Sequence, residues 1–291
     1  MKTGFIGLGS MGLPMARNLH RAGLLHAVWS RTPEKALALL TETGCRVCAD
    51  PAELAGECDA IVSCVSADAD LLEVIDAMRP GLRHGVLVID CSTTSAEAAR
   101  TADERVRAAG AQFLDCPVTG GTEGARQGTL AILVGGDAAA FERARSILAA
   151  MGRTIAHFGP VGAGQAAKAV NQIMVAGINQ AVSEALAFAG AEHLPIDKLV
   201  ETLGQGAAAS WFLANRGPNM LRGTYPLGFK VRLHQKDLEI CRRMAARFGV
   251  RLPLVEMTLL HYKRLLATAE QDEDISSLHR LKAAMFTGDE S

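Results

Sequence analysis

Apolar and polar positions change rhythm once along the chain. Up to about residue 160, short wholly apolar runs alternate with stretches in which apolar residues recur every three to four positions; beyond Gly159 only the second rhythm continues. The runs at 2–6, 25–29, 59–65, 86–90, 112–116, 128–136 and 154–158 predict buried strands, with helices over 13–22 and 138–151. Buried strands separated by helices predict a parallel, doubly wound sheet with its ligand site at the carboxyl ends of the strands. Residues 165–191 predict one long helix, apolar nearly all round and therefore buried on most sides. Shorter helices are predicted over 194–203, 211–215 and 238–248 and from Pro253, with a polar, fraying tail from Gln271.

At 291 residues the chain can bury two cores, which predicts two domains, 1–161 and 162–291. A net charge of -1 offers no basic field for nucleic acid or an anionic membrane surface. No apolar run is read as approaching the roughly 20 residues of a membrane span. Seven cysteines with no signal-like start predict a reducing cytoplasm, and Cys45 and Cys48, a C-x-x-C without a second pair, are read as structural thiols. The eight histidines show no metal-ligand spacing, so no metal is expected.

Chemistry enters at the first turn. The run Gly7-Leu8-Gly9-Ser10-Met11-Gly12 lies between a strand and a helix, the context of a dinucleotide fingerprint. Gly7 permits the turn, Gly9 lets a pyrophosphate approach the backbone, Gly12 lets the helix pack on the strand, and the helix start holds phosphate with its unpaired amides. The duller alternative is a structural turn. The first domain is therefore expected to be a Rossmann fold. The second strand ends in Ser30, Arg31 and Thr32, where an NAD enzyme usually carries a carboxylate. A guanidinium flanked by hydroxyls suits a 2′-phosphate, so NADP is favoured and NAD is possible; otherwise Arg31 is a solvated surface charge.

Ser66, Ser92 and Thr93 sit at further strand ends, where they can cap helices or touch a ligand. Thr119, Gly120 and Gly121 can form a nest of amides for a substrate carboxylate, or an ordinary turn. Helical spacing places Lys168, Asn171 and Gln172 on one face, where an ammonium and two amides can converge on a small polar group. Lys236 and Asp237 are expected to open a helix, with Asp237 at its positive end and Lys236 facing a ligand or solvent.

The chain resembles the β-hydroxyacid dehydrogenase family, which includes 3-hydroxyisobutyrate dehydrogenase and tartronate semialdehyde (2-hydroxy-3-oxopropionate) reductase. Four segments carry the likeness, in family order and spacing: Gly4 to Met15, Asp115-Cys-Pro-Val-Thr-Gly-Gly121, Gly162-Ala-Gly-Gln-Ala-Ala-Lys168 with Asn171, and Phe229 to Leu238. The resemblance implies a Rossmann domain followed by an all-helical substrate and dimerisation domain on a long connecting helix. It implies that Lys168 is the general acid/base, that Asn171 orients substrate, and that Ser92, Thr119, Gly120 and Gly121 bind the substrate carboxyl end. Lys236 would reach the nicotinamide and substrate, while Thr93 and the loop Cys64-Val65-Ser66 would lie against the cofactor. Thr119 and Gln172 stand where relatives often carry Ser and Asn, which bears on substrate shape and not on reaction type.

The implied reaction exchanges a hydride between nicotinamide and a small β-hydroxy acid or semialdehyde. A positioned ammonium stabilises the charge that develops on the carbonyl oxygen and supplies its proton. In oxidation the amine must be neutral, which predicts faster oxidation at alkaline pH. Relatives that reduce imines commonly replace this Lys with Asp or Tyr, and a nucleotide-binding module without catalysis has no need for the Lys168 and Asn171 pair. The 6-phosphogluconate dehydrogenases share the first domain but are longer. The nearly uncharged long helix predicts a homodimer or homotetramer.

Overall fold

The computed structural model describes residues 1–267 and 272–287. It comprises two compact units, Met1–Lys168 and Ala169–Ser291. The first unit runs β1 (Thr3–Ile6), α1 (Gly12–Arg21), β2 (Leu25–Trp29), α2 (Pro33–Thr43), β3 (Arg46–Val47), α3 (Pro51–Glu57), β4 (Ala60–Ser63) and α4 (Asp68–Met78). It continues with β5 (Leu87–Asp90), α5 (Ala96–Ala108), β6 (Gln112–Asp115), β7 (Val118–Thr119), α6 (Gly121–Gln127), β8 (Leu130–Gly136), α7 (Ala138–Met151) and β9 (Gly152–Gly159). It ends within the first turns of α8 (Ala163–Ala191).

The nine strands among the described residues belong to one sheet in the order β3-β2-β1-β4-β5-β6-β8-β7, with β9 also on β8. The expected α/β architecture is present, with one correction. Pairing is parallel from β3 to β6, but β8 runs antiparallel to both β6 and β7. An apolar run reads the same in either direction, so the reversal left no trace in the pattern. Buried side chains fill both faces of the sheet. On one, α1 packs Met15, Ala16 and Leu19 into a cluster with Phe5, Val28 and Ile132. Truncating Leu19 to Ala there is expected to cost about 2–5 kcal/mol.

The second unit is helical among its described residues: the remainder of α8, then α9 (Ile196–Leu203), α10 (Trp211–Leu221), α11 (Val231–Ala246), α12 (Pro253–Ala267) and α13 (Leu278–Thr287). Its core gathers Val182, Leu186, Phe212, Leu238, Val255 and Tyr262. Three sequence expectations change here. By length and composition α8 does pass for a membrane span, with a mean hydropathy of 1.3 in its most apolar window, of which 44% is buried. Its buried Asn179 and Gln180 nevertheless bond the Tyr262 hydroxyl, the Ile275 carbonyl and Thr258, as in a helix cored by protein. Second, α10 extends six residues past the expected end, through Pro218. Third, Gln271 lies outside the described residues, but 272–287 are anchored. The fully buried Asp274 accepts hydrogen bonds from the Gly228 and Phe229 amides, both at 2.8 Å.

Candidate active site

Five parallel strands end in one register row, Trp29, Ile6, Ser63, Asp90 and Asp115. The residues just beyond this row are where a doubly wound sheet binds its ligands. Beyond Ile6 the chain turns at Gly7, whose φ of +95° suits glycine. A Cβ there would lie 2.2 Å from the Cys64 carbonyl oxygen, and one at Gly12 would lie 1.9 Å from the Gly7 carbonyl oxygen. Both glycines are therefore required by the protein's own packing. A Cβ at Gly9 would meet nothing within 4 Å, so the reason for that glycine lies outside the chain. No side chain caps the start of α1. Open space beside Gly9 and an uncapped helix start are what a dinucleotide pyrophosphate needs, so the stretch Gly7 to Gly12 fits the group.

At the next strand end, the Ser30 hydroxyl accepts from the Thr32 amide at 3.3 Å, and Arg31, 69% exposed, pairs with Asp70 at 2.8 Å. Cys64 and Val65 follow β4. The Val65 amide donates to the Ser92 hydroxyl at 2.8 Å, and that hydroxyl donates to Asp90 at 2.6 Å. Ser92 is buried, and its hydroxyl ties two strand ends together. Ser63 donates to the same Asp90 oxygen at 2.8 Å.

Asp115, at the end of β6, is fully buried and accepts from the Gly162 amide at 2.7 Å and the Gln165 amide at 2.9 Å. It thus caps the start of α8 from another strand. Burial pushes its carboxyl up from 3.8 to about 6, against the lowering effect of those two amide bonds. The Gln165 side chain is also buried; it accepts from the Thr94 amide at 3.1 Å and donates to the Ser92 carbonyl at 2.9 Å. One turn later Lys168, 7% exposed, donates its ammonium to the Val118 carbonyl at 2.8 Å.

The stretch read as a nest is more structured than expected. Val118 and Thr119 form β7, Gly120 has a φ of +127° and directly precedes α6, and both Gly120 and Gly121 are exposed. A two-residue strand is too short for a period to reveal. The first unit thus brings Lys168 beside Val118, one residue from Thr119, and ties the Ser92–Thr94 loop to the same helix turn.

In the second unit Asn171 donates to Gln172 at 2.7 Å, Gln172 donates to Asp237 at 2.6 Å, and Lys236 lies 2.9 Å from Asp237. Gln172 is buried, and its carboxamide bonds Asn171 at one end and Asp237 at the other. Lys236 and Asp237 do not open a helix: α11 starts five residues earlier, at Val231. Asp237 is the shared acceptor of this cluster, a role the sequence reading missed by placing it at a helix end.

The cysteines have no disulfide among the described residues, and burial pushes the Cys48 thiol up to about 11 and the Cys58 thiol up to about 12. Such thiols stay protonated and unreactive at neutral pH. No group of three or more His, Cys, Asp or Glu suited to a metal occurs among the described residues.

The sheet, glycine turn and strand-end row define a dinucleotide-binding α/β protein with a buried lysine on the helix that follows the sheet. Comparison with known proteins narrows the class. Residues 2–159 match the family described as the NAD binding domain of 6-phosphogluconate dehydrogenase, and residues 162–282 that described as NAD-binding of NADP-dependent 3-hydroxyisobutyrate dehydrogenase. The chain is 37% identical over 257 residues to the 2-hydroxy-3-oxopropionate reductase of Escherichia coli, covering 87% of each chain. It is 34% identical over 287 residues to the NAD-dependent L-serine dehydrogenase of Pseudomonas aeruginosa, covering 95% of this chain and 96% of that one. The solved structure of Mycobacterium tuberculosis 3-hydroxyisobutyrate dehydrogenase with L-serine superposes with a TM-score of 0.88 at 29% identity, over 96% of this chain and 98% of that one. The chain belongs to the NAD(P)-dependent hydroxyacid dehydrogenase family of the 3-hydroxyisobutyrate dehydrogenase and 2-hydroxy-3-oxopropionate reductase type.

Proposed function

We propose that the protein interconverts a small β-hydroxy acid and its semialdehyde, with Lys168 as general acid/base and NADP as the preferred nucleotide. The observation that carries this reading is the buried Lys168 ammonium, held 2.8 Å from the Val118 carbonyl and one residue from Thr119. Bound nicotinamide supplies the hydride acceptor or donor. Thr119, Gly120 and Gly121 are proposed to take the substrate carboxylate, which would set the reacting carbon at a fixed distance from the amine. Lys168 then stabilises negative charge on the carbonyl oxygen during reduction and hands it a proton, a contribution of about 10² to 10⁴ in rate. In oxidation the neutral amine removes the hydroxyl proton, so oxidation speeds up as pH rises. Asn171 is proposed to orient substrate, and Lys236 to contact substrate and nucleotide.

Residues Gly7 to Gly12, Cys64 to Ser66 and Thr93 are proposed to hold the nucleotide, and Ser30, Arg31 and Thr32 its 2′-phosphate. In domain terms, 1–161 would carry nucleotide and 162–291 substrate selection and dimerisation. Seven cysteines, with no disulfide among the described residues, support a reducing cytoplasm as the setting. Val170, Met174 and Phe188 leave α8 with an exposed apolar stripe that continues onto Phe286, whose ring lies 6.2 Å from that of Phe188. Such a stripe suits a second copy of the chain, and a monomer in sedimentation at micromolar concentration would refute the oligomer.

The test of the chemistry is Lys168→Ala, assayed on L-serine, 3-hydroxyisobutyrate, glycerate and 4-hydroxybutyrate, each with NAD and NADP. Turnover should vanish on every substrate the native enzyme uses while nucleotide affinity is retained. Near-native kcat in the variant would exclude Lys168 as the base.

A further inference from the structure

Gln165 has no part in the proton relay, yet its carboxamide is among the most constrained polar groups in the first unit. It is 1% exposed, and its two ends bond the two backbone groups that flank Thr93: Oε1 accepts from the Thr94 amide at 3.1 Å and Nε2 donates to the Ser92 carbonyl at 2.9 Å. A primary amide spanning the carbonyl and the amide on either side of one residue acts as a strand neighbour would, fixing that residue's backbone. Ser92 and Thr94 are each 1% exposed; Thr93 between them is the partly exposed one. The backbone of Gln165 is held in turn, its amide bonded to Asp115 at 2.9 Å. Three residues further along α8 stands Lys168, on the same helix face.

We propose that Gln165 is a positioning residue, whose carboxamide brackets Thr93 and keeps it in fixed registration with Lys168. The inference rests on the reading above, in which Thr93 lies against the nucleotide and Lys168 transfers the proton. It adds that the Gln165 side chain helps to set the distance between the two. A loop freed from Gln165 would let the hydride and proton partners drift apart, and a misplacement of about 1 Å costs up to about 10²-fold in rate. Leaving the Thr94 amide and Ser92 carbonyl unpaired would also destabilise the loop, so stability and kinetics must be separated.

Two variants do this. Gln165→Leu keeps the bulk and removes both bonds. It should lower kcat by about 10- to 100-fold, raise KM for the nucleotide, and expose a larger primary isotope effect with deuterated nicotinamide, while far-UV circular dichroism stays native. Gln165→Glu offers the same acceptor and donor only when protonated; ionised, it turns a carboxylate oxygen towards the Ser92 carbonyl. Its activity relative to the native enzyme should therefore rise as pH falls, a signature available even if the Leu variant does not fold. A folded Gln165→Leu with kcat and KM within about twofold of native overturns the proposal, as does lowered thermal stability with native kinetics or a flat relative pH profile for Gln165→Glu. Lys168→Ala, run alongside, distinguishes the two failures. If it retains turnover, the reading of the proton relay falls; if it is dead while Gln165 variants behave as native, only the positioning role falls.

Discussion

Gly164→Ala is a one-carbon perturbation of the contact that seats α8. A methyl at that position would lie 2.4 Å from the Leu133 carbonyl oxygen, 2.6 Å from the Asp115 carbonyl oxygen and 2.9 Å from Asp115 Oδ2. Unstrained carbon–oxygen contacts start near about 3.3 Å, so the helix must retreat by about 0.7–0.9 Å. Two of the three obstacles are backbone of β6 and β8, and no side-chain rotation relieves them. The retreat stretches the bonds from the Gly162 and Gln165 amides to Asp115, now 2.7 and 2.9 Å, beyond useful range. Losing one or both charge-assisted bonds costs about 2–5 kcal/mol in total. It also carries Lys168 away from Val118, for an expected fall in kcat of about 10²-fold. Urea unfolding followed by circular dichroism reads the first effect, and steady-state kinetics on the best substrate of the panel reads the second. Gly190→Ala in the same helix is the control, since a Cβ there meets nothing within 4 Å. A Gly164→Ala protein as stable and as active as Gly190→Ala would refute the seating role assigned to Asp115.

Other outcomes follow from the same geometry. The Asp115 carboxyl, raised by burial to about 6, holds its proton in the folded protein at pH values where the unfolded chain has lost it. Native stability therefore falls as pH climbs from about 4 to about 6, by about 3 kcal/mol from this group, and the difference in unfolding free energy between native and Asp115→Asn should shrink by that amount over the interval. Arg31→Ala should raise KM for NADP by about tenfold or more and leave KM for NAD nearly unchanged; equal effects on both nucleotides would remove the 2′-phosphate from its role. Oxidation rates measured across neutral to alkaline pH should climb in the native enzyme, and a flat profile would contradict a neutral amine as the base.

Much of the fold was legible because its signals are periodic. Each short apolar run before Gly159 became a strand, and the change of rhythm after Gly159 marks the passage from sheet to helices. The glycine turn was legible because three positions each carry a separate steric demand, of which Gly7 and Gly12 answer to the chain itself. What escaped has physical causes. Strand direction at β8 leaves no imprint on an apolar run, and β7 is two residues long. The start of α11 was misjudged because Lys230, Arg232, His234 and Gln235 make its opening turns read as a polar approach, although Val231 and His234 are buried. The bonds that tie Ser92 to Asp90, and Gln172 to Asn171 and Asp237, were not legible either, because residue type and strand-end or helical position do not name a partner. Asp115, Gln165 and Asp237 were missed as working residues because their partners are 47 to 73 positions away in the chain.

The measurement closest to the central claim is the single-turnover rate of hydride transfer in native enzyme and in Lys168→Ala, with nucleotide saturating and a small alkylamine added in steps. The expected result is a loss of about 10² to 10⁴ in the variant, partly restored as the amine fills the vacated position. A variant that transfers hydride at the native rate without added amine would contradict the role of Lys168.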